Sequence, residues 1–307
     1  MAQKLALVGI GKIARDQHIP AITANPDFEL VATASRNASV EGIAAYPDLA
    51  TLLGAESDID CVSLCTPPMA RYADARIGLE AGCHVMLEKP PGATLSEVHD
   101  LEALAKAHGV ALFATWHSRH AAAVAAARDW LRDRRLQEMR IDWKEDVRYW
   151  HPGQDWIWQA GGLGVFDPGV NALSVMTAIL PRAVFLTKAQ LSFPENRDTP
   201  IAAEMEFHDP EGARITAGFD WLEQGPPKWD ISLKTDEGDA LLSDGGAKLF
   251  VDGQLTAQGE DEEYPSLYRR FSELVSSGKM EVDLSPMRHV ADAFTMGKRY
   301  IAPAFEW

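Results

Sequence analysis

A lysine stands where an apolar run ends, between a carboxylate and two prolines. The strand-like run His84–Leu87 is followed at once by Glu88, Lys89, Pro90 and Pro91. A lysine at the mouth of a buried strand costs free energy to desolvate, and such a group usually has a chemical task. The prolines end the strand and stiffen the turn, which limits where the ammonium can point. Lys89 is therefore a candidate for proton transfer, and a solvated lysine at an ordinary strand end is the alternative.

A glycine-rich turn near the start of the chain has the spacing of a phosphate-binding loop. Gly9–Ala14 reads G-x-G-x-x-A, and it follows an apolar strand and opens a helix. Gly9 permits the tight turn, Gly11 lets the backbone approach a pyrophosphate, and Ala14 permits close packing of helix on strand. The helix N-terminus carries a partial positive charge that favours phosphate. The predicted dinucleotide contacts in this turn are Gly9, Gly11, Lys12 and Ile13.

The residues after the second strand bear on which dinucleotide is used. NAD-preferring turns carry a carboxylate there for the ribose hydroxyls, whereas this chain has Ser35, Arg36 and Asn37. No carboxylate repels a 2′-phosphate, and Arg36 can pair with that phosphate or stack on adenine. We therefore expect NADP, or the use of both NADP and NAD, with Ser35 and Arg36 among the cofactor contacts.

Two further strand ends complete the expected cofactor site. Thr66 and Pro67 follow the third strand, where the ligand crevice of a parallel sheet lies. Glu88, at the end of the fourth strand, is the last predicted cofactor contact, and local pairing with Lys89 is its alternative.

The first third of the chain alternates short apolar runs with helical patterns. Because its strands are apolar on both faces, this rhythm predicts a parallel α/β sheet covered by helices. The predicted strands are Leu5–Gly9, Glu29–Ser35, Cys61–Thr66, His84–Leu87 and Val110–Thr115, and the predicted helices are Ala14–Ala24, Ala70–Ala81 and Leu95–His108.

The rhythm changes near Trp116–Arg119, so we place a domain boundary between residues 118 and 119. Consecutive strands with few helices then predict a largely antiparallel α+β domain over residues 119–307. The predicted strands are Met139–Val147, Val184–Phe193, Ile201–His208, Arg214–Trp221, Trp229–Thr235, Ala240–Ser243 and Lys248–Val251, and the predicted helices are Ala121–Arg134, Pro168–Ile179, Tyr264–Ser277 and Ser285–Ile301.

Charge and composition exclude several classes of partner. A formal net charge of −16 over 307 residues repels nucleic acid and anionic membranes. No apolar run is long enough to span a bilayer, and the N-terminus does not resemble a secretory signal. Cys61 and Cys65 lie about 13 Å apart if they share a strand, beyond disulfide reach. Together with Cys83 they predict reduced thiols in a cytoplasmic protein, and no residue spacing suggests a metal site.

Three motifs together resemble the glucose-fructose oxidoreductase / inositol dehydrogenase (Gfo/Idh/MocA) family. They are Gly9–Ala14, Cys65–Pro68 and Glu88–Pro90, and the domain order matches over essentially the whole chain. Within the family the chain looks like bacterial aldose 1-dehydrogenases that oxidise L-arabinose and D-galactose. The segments that carry this closer resemblance are residues 9–18, 115–119, 143–148, 150–154 and 161–169.

The resemblance carries implications for fold and mechanism. It implies a Rossmann domain over residues 1–118, followed by a substrate-binding and oligomerisation domain over residues 119–307. The second domain would hold a large, mostly antiparallel open sheet whose outer face forms a homodimer interface. The resemblance also implies that Lys89 reaches the substrate beside the nicotinamide, and that a cis peptide bond precedes Pro90.

One position departs from the pattern of much of the family. An Asp followed four residues later by a proton-transferring His is common there, whereas this chain has Asp167 and Asn171. An amide cannot act as a general base near neutral pH. The arabinose and galactose enzymes share this Asn, so the resemblance holds, but the base is left open between Lys89 and Asp167. We expect a relay of these two, with Asn171 on a sugar hydroxyl. Helix N-capping by Asp167, ahead of Pro168, is the alternative.

A Trp- and Gly-rich loop, Tyr149–Gly164, suits the binding of a sugar. Sugars offer apolar C–H faces that stack on aromatic rings, and hydroxyls that need charged or amide partners. Three tryptophans in such a loop favour a binding wall, while core packing is the alternative for any one of them. The predicted substrate contacts are His117, Glu145, Trp150, His151 and Trp229, with Trp156 and Trp158 in the same loop.

These expectations converge on the oxidation of an aldose at C1 to the aldonolactone, with hydride passing to the nicotinamide of NAD(P). The expected substrates are L-arabinose and D-galactose. A non-catalytic, dinucleotide-bound sugar sensor is one alternative, and a related aldose/ketose oxidoreductase with a bound cofactor is another.

Overall fold

The computed structural model describes residues 2–307, which form two compact units. One unit comprises the chain up to His117 together with Glu263–Asp283, and the other comprises Ser118–Glu262 with Leu284–Trp307.

The helices and strands are numbered in chain order. The strands are β1 Gln3–Val8, β2 Phe28–Ala34, β3 Ala44–Tyr46, β4 Cys61–Leu64, β5 His84–Leu87, β6 Leu112–Ala114, β7 Leu136–Lys144, β8 Phe185–Pro194, β9 Ala202–His208, β10 Arg214–Asp220, β11 Lys228–Thr235, β12 Gly238–Ser243, β13 Lys248–Val251, β14 Gln254–Gln258 and β15 Lys298–Ala302. The α-helices are α1 Ile19–Ala24, α2 Leu49–Ala55, α3 Pro68–Glu80, α4 Leu95–His108, α5 Val124–Leu131, α6 Val147–Trp150, α7 Phe166–Ile179, α8 Glu263–Ser277 and α9 Ser285–Met296. A π-helical turn, Ala14–His18, runs directly into α1.

The first unit is built on a parallel sheet with the strand order β3-β2-β1-β4-β5-β6. The order reverses between β1 and β4, and such a switch point opens a ligand crevice at the carboxyl ends of the strands. The sequence prediction of a parallel, doubly covered sheet is confirmed. It omitted β3 and α2, because three residues of strand and seven of helix are too short to show a clear period.

A late segment of the chain returns to the first unit. Helix α8 buries Leu267, Tyr268 and Phe271 in a core with β1 and β6, and Phe271 stacks on Phe28 with ring centroids 5.5 Å apart. The backbone of Glu281 then pairs beside β6, where it accepts the Ala114 N–H at 2.9 Å. The prediction had assigned this segment to the second domain, so the division at residues 118 and 119 needs this correction.

The second unit is a nine-stranded open sheet with the order β14-β13-β12-β11-β7-β10-β9-β8-β15. Its pairs are antiparallel except β7 with β10 and β8 with β15, which confirms the predicted mostly antiparallel sheet. Alternate residues of β7, namely Met139, Ile141 and Trp143, are buried on one face. The opposite face carries charged side chains such as Arg140 and Glu204.

The end of the chain differs from the predicted helix Ser285–Ile301. Helix α9 stops at Met296, and β15 adds a parallel edge strand beside β8. Gly297 ends the helix in an extended conformation (φ −66°, ψ 131°), with its N–H donating to the Ala293 carbonyl oxygen at 2.8 Å, and a side chain there would clash with Leu191. Strand β14 was also missed.

Residues 2–307 contain neither a membrane-spanning helix nor a cluster of metal-ligating side chains. No helix formed by them is both long and apolar enough to cross a membrane. No set of three or more His, Cys, Asp or Glu among them is grouped as metal ligands would be.

Candidate functional site

The glycine turn of the first unit has room for a pyrophosphate. Gly9 adopts a φ of +86°, and a Cβ there would lie 2.9 Å from the backbone nitrogen of Thr66, so only glycine suits this contact. A Cβ on Gly11 would meet no atom within 4 Å, which leaves a cradle at the helix N-terminus. Lys12 and Ile13 are both exposed beside it, and Lys12 forms an ion pair with Asp16. The geometry of this turn is therefore compatible with a dinucleotide bound at the predicted contacts Gly9, Gly11, Lys12 and Ile13.

The ribose end of the predicted cofactor site lies after β2. Ser35 is half-buried and its N–H donates to the Tyr46 carbonyl at 2.9 Å. Arg36 is exposed. The guanidinium is thus accessible to a phosphate at this edge of the sheet.

The backbone around Lys89 is held from two sides. The Lys89–Pro90 peptide bond is cis, as the family resemblance implies. Arg71, which is buried, donates to the carbonyl oxygens of Glu88, Pro90 and Thr66. The Lys89 N–H donates to Glu88 Oε2 at 2.6 Å. The half-buried lysine therefore extends from a turn whose backbone is fixed.

Glu88 belongs to a buried polar network. Its Oε1 accepts from the Tyr264 hydroxyl at 2.5 Å and lies 3.2 Å from His18 Nε2. The Tyr268 hydroxyl is 2.8 Å from His18 Nδ1 and 3.2 Å from Ser63 Oγ. Glu88 was predicted as a cofactor contact, but the structure turns its carboxylate into the interior. The predicted local pairing with Lys89 is made by the lysine's backbone N–H.

Charge in this network is stabilised despite burial. Burial alone would raise the pKa of Glu88, but the hydrogen bond and charge of His18 hold it well below its ordinary value of 4.5. Burial likewise lowers the pKa of His18, yet the acidic groups of Cys65, Tyr268 and Glu88 bring it well above 6.5. These pKa directions favour a charged Glu88 carboxylate facing a protonated His18 inside the unit.

His117, predicted as a sugar contact, lies in the first unit beside this network. Its Nδ1 is 2.5 Å from Glu263 Oε2, and its ring stacks on Tyr264 with centroids 5.5 Å apart. Burial lowers the pKa of His117 and Lys89 opposes its protonation, but Glu263 and Glu88 raise that pKa above its ordinary value. His117 therefore lies in the same unit as Lys89, close enough to be affected by its charge.

In the second unit, Asp167 and Asn171 lie one turn apart on α7. The helix begins at Phe166 and its N-cap is Val165, so the alternative that Asp167 caps the helix is wrong. Residues at i and i+4 share a face. Asp167 is buried and Asn171 is half-buried, and the Nε2 of His151 lies 3.5 Å from Asp167 Oδ2.

Glu145 forms the centre of an aromatic cluster. This buried carboxylate accepts from the indole N–H of Trp229 at 2.9 Å and of Trp221 at 3.2 Å. The Trp150 ring packs on Trp229 with centroids 5.2 Å apart and is 38% exposed. The His151 ring lies 5.4 Å from that of Trp221. The predicted residues Glu145, Trp150, His151 and Trp229 are therefore brought together with Asp167.

The tryptophans of the loop separate into two groups. Trp158 packs against Trp221, Phe305 and Trp307 in the core, so the alternative of core packing holds for this residue. Trp150 instead belongs to the partly exposed cluster around Glu145. Trp156 is half-buried. Trp221 was not predicted as a site residue, although its position at the end of the predicted strand Arg214–Trp221 could have indicated it.

The site residues that sequence reasoning missed in the first unit are those of the buried network. They are His18, Ser63, Arg71, Glu263, Tyr264 and Tyr268. His18 ends the segment 9–18 that carries the family resemblance, so it alone had a sequence signal.

Comparison with known proteins places this geometry in a family. Residues 3–115 match the model of an oxidoreductase family with an NAD-binding Rossmann fold, Gfo/Idh/MocA. Galactose 1-dehydrogenase of Pseudomonas fluorescens is 44% identical over 98% of this chain and 98% of its own length. The chain belongs to the Gfo/Idh/MocA oxidoreductase family. Its first unit is an NAD-binding Rossmann domain, and the predicted NAD(P) cofactor is confirmed at this level.

Solved structures agree with this assignment. The D-galactose-1-dehydrogenase protein from Rhizobium etli is 58% identical, with a TM-score of 0.96 over 100% of this chain and 99% of that one. A 3-ketoreductase from Actinomadura kijaniata, solved with NADP and TDP-benzene, has a TM-score of 0.84 at 18% identity over 99% and 100% of the two chains. The second likeness supports the fold alone.

Proposed function

We propose that this oxidoreductase is an NAD(P)-dependent aldose 1-dehydrogenase that oxidises D-galactose and L-arabinose to their aldonolactones. The observation that carries the proposal is the cluster around Glu145, a buried carboxylate that accepts from two indole N–H groups. Carboxylates framed by tryptophan rings suit sugars, which have both hydroxyls and apolar C–H faces. The full-length similarity to galactose 1-dehydrogenases supports this choice of substrate.

The cofactor is assigned to the first unit. Gly9, Gly11, Lys12 and Ile13 would hold the pyrophosphate, and Ser35, Arg36, Thr66 and Pro67 would line the rest of the dinucleotide. When bound, the nicotinamide ring supplies the hydride acceptor. The exposed Arg36 favours NADP over NAD, because a guanidinium pairs well with a 2′-phosphate.

The sugar is assigned to the second unit. Trp150 and Trp229 would stack on its C–H faces. Glu145, whose oxygens each accept one indole N–H, would accept a hydrogen bond from a sugar hydroxyl. Asn171, half-buried on the same helical face as Asp167, would hydrogen-bond a further hydroxyl.

The reaction needs a proton acceptor as well as a hydride acceptor. The C1 hydroxyl loses its proton, C1 loses hydride, and the lactone C=O forms. Lys89 of the first unit and Asp167 of the second are the two groups to which we assign the proton. A lysine takes a proton only where burial or nearby positive charge favours its neutral form, and Asp167 needs no such help. His151, 3.5 Å from Asp167, would orient that carboxylate.

We expect both sugars to be used as substrates. D-galactose and L-arabinose share their configuration from C1 to C4 of the pyranose and differ in the group at C5. A pocket separates such a difference by about 1–3 kcal/mol at most. The ratio of kcat/KM between the two sugars should therefore be no more than about 10- to 200-fold.

We also propose that two copies associate through the charged face of the nine-stranded sheet. Arg140 and Lys144 lie there beside Asp142 and Glu204, and a patch with charges of both signs can pair with the same patch of a second copy. Light scattering after size-exclusion chromatography should give twice the chain mass, and the mass of a monomer would exclude the proposed dimer.

The three free thiols support the proposal that the protein works in a reducing, cytoplasmic setting.

An absorbance assay of reduced nicotinamide, over a panel of aldoses with NAD and with NADP, tests the function. We expect turnover with D-galactose and L-arabinose and little with sugars of the opposite C4 configuration. Cofactor binding without turnover on any aldose would instead support a sugar sensor. Ping-pong kinetics with a non-exchanging cofactor would support the related bound-cofactor oxidoreductase.

A further inference from the structure

We propose that Glu88 is a positioning residue for Lys89, fixing the lysine's backbone from inside the Rossmann domain. The inference rests on the proposed function, in which Lys89 moves the proton. It assigns to Glu88 a role different from contact with the cofactor.

The amide side of Lys89 is fixed by the carboxylate. Oε2 of Glu88 accepts the Lys89 N–H at 2.6 Å, and Oε1 is bound by Tyr264 and faces His18. Both carboxylate oxygens are thus committed. Glu88 is 4% exposed and His18 is 0% exposed, so water cannot replace either partner at small cost.

The carbonyl side is fixed by Arg71. Its guanidinium donates to the carbonyl oxygens of Glu88 and Pro90, which bracket Lys89 in the chain. A third bond reaches the carbonyl of Thr66, at the neighbouring strand end. The turn is therefore held through its N–H by an anion and through its carbonyls by a cation.

The chemistry of the network points to more than structural filling. Desolvating a carboxylate and an imidazolium costs several kcal/mol per ion, and apolar residues of equal volume often serve stability as well. Here His18 Nε2 lies 3.2 Å from Glu88 Oε1, and the lowered pKa of Glu88 and raised pKa of His18 favour the charged pair. What the ion pair adds is a rigid acceptor directly behind the turn of Lys89. Errors of about 1 Å in such positioning can lower rates about 100-fold.

Glu88→Gln removes the charge and leaves the side-chain length unchanged. We expect kcat on D-galactose to fall about 10- to 100-fold, while the KM for the dinucleotide changes less than about twofold. In a Lys89→Ala background, the same substitution should leave the residual rate unchanged, because its effect passes through Lys89. Tyr264→Phe should lower kcat in the same direction. Tyr72→Phe, which removes a hydroxyl bonded to Asp100 elsewhere in the unit, is the matched control and should keep full activity.

A readout independent of turnover accompanies the kinetics. Reductive ¹³C-methylation makes each lysine visible by NMR, and Lys89→Arg identifies the Lys89 signal. That signal should shift in Glu88→Gln and Tyr264→Phe, and stay in place in Tyr72→Phe. Thermal denaturation of each variant establishes that it folds, and Tyr264→Phe serves if Glu88→Gln does not.

The outcomes separate the inference from the function it rests on. Unchanged kcat and an unmoved Lys89 signal in the folded variants would overturn the role of Glu88 alone. Equal losses in the wild-type and Lys89→Ala backgrounds, or a loss confined to the KM for the dinucleotide, would also overturn it. Wild-type protein without turnover on any aldose would instead refute the proposed function.

Discussion

The individual residues that could be identified from the sequence are those whose neighbours in the chain form a recognisable pattern. Lys89 follows a strand and precedes two prolines, and Asp167 and Asn171 share a helical face. The contacts among His18, Glu88 and Tyr264 were not predicted, because Glu88 lies 70 positions after His18 and 176 positions before Tyr264. Their contact arises only when the sheet and the returning helix α8 pack together.

Arg36 should determine the preference between NADP and NAD. Arg36→Ala would remove the proposed charge-assisted bond to the 2′-phosphate, for which we expect about 1.5–3 kcal/mol. We expect kcat/KM for NADP to fall about 10- to 100-fold, while kcat/KM for NAD changes little. Initial rates with each cofactor measure this, and Arg132→Ala, an exposed change in the second unit, is the control. Equal losses for both cofactors would rule out a phosphate contact.

Glu145 should matter for stability as well as for sugar binding. In Glu145→Gln one carboxylate oxygen becomes an NH2 group, so one buried indole N–H faces a donor. We expect the free energy of unfolding to drop by about 1–3 kcal/mol, and the KM for D-galactose to rise. Urea denaturation measures the first effect. Glu237→Gln, an exposed change in the turn between β11 and β12, should leave stability within about 0.5 kcal/mol. Equal stabilities of the two variants would contradict the indole contacts.

At the scale of elements, prediction succeeded where local signals mark both ends. The bounds of α4, Leu95–His108, match the prediction because Thr94 and Glu97 form a capping box and Gly109 takes a left-handed conformation. Prediction failed at β15, where the predicted helix runs on through Gly297 but the chain becomes extended there and pairs with β8. Local periodicity carries no information about such long-range contacts.

The cap of α4 offers a direct test at this scale. Thr94→Ala removes the side chain that accepts the Glu97 N–H at 3.2 Å. The free energy of unfolding should fall by about 1 kcal/mol, with kcat unchanged, because α4 supports the sheet and holds no site residue. Thermal or urea denaturation checks this against Ser96→Ala, an exposed change in the same helical turn. A loss no larger than that of the control would contradict the cap.

For the whole molecule, the two sheet classes were predictable because strand composition differs with burial. Strands apolar on both faces fit a covered parallel sheet, and alternating strands fit a sheet with one open face. The membership of α8 in the first unit was not predictable from order along the chain. Its apolar face suits any core, and only packing against Phe28 and Phe113 decides which one it joins.

The central claim is that this oxidoreductase oxidises aldoses by a mechanism in which Lys89 handles the proton. Turnover of D-galactose by wild-type and Lys89→Ala protein, each with saturating cofactor, tests it most directly. We predict lactone formation by the wild type and a fall in kcat of at least about 100-fold in the variant, the lower end of the range for general acid–base catalysis. Near-normal kcat in a folded Lys89→Ala variant would contradict the account.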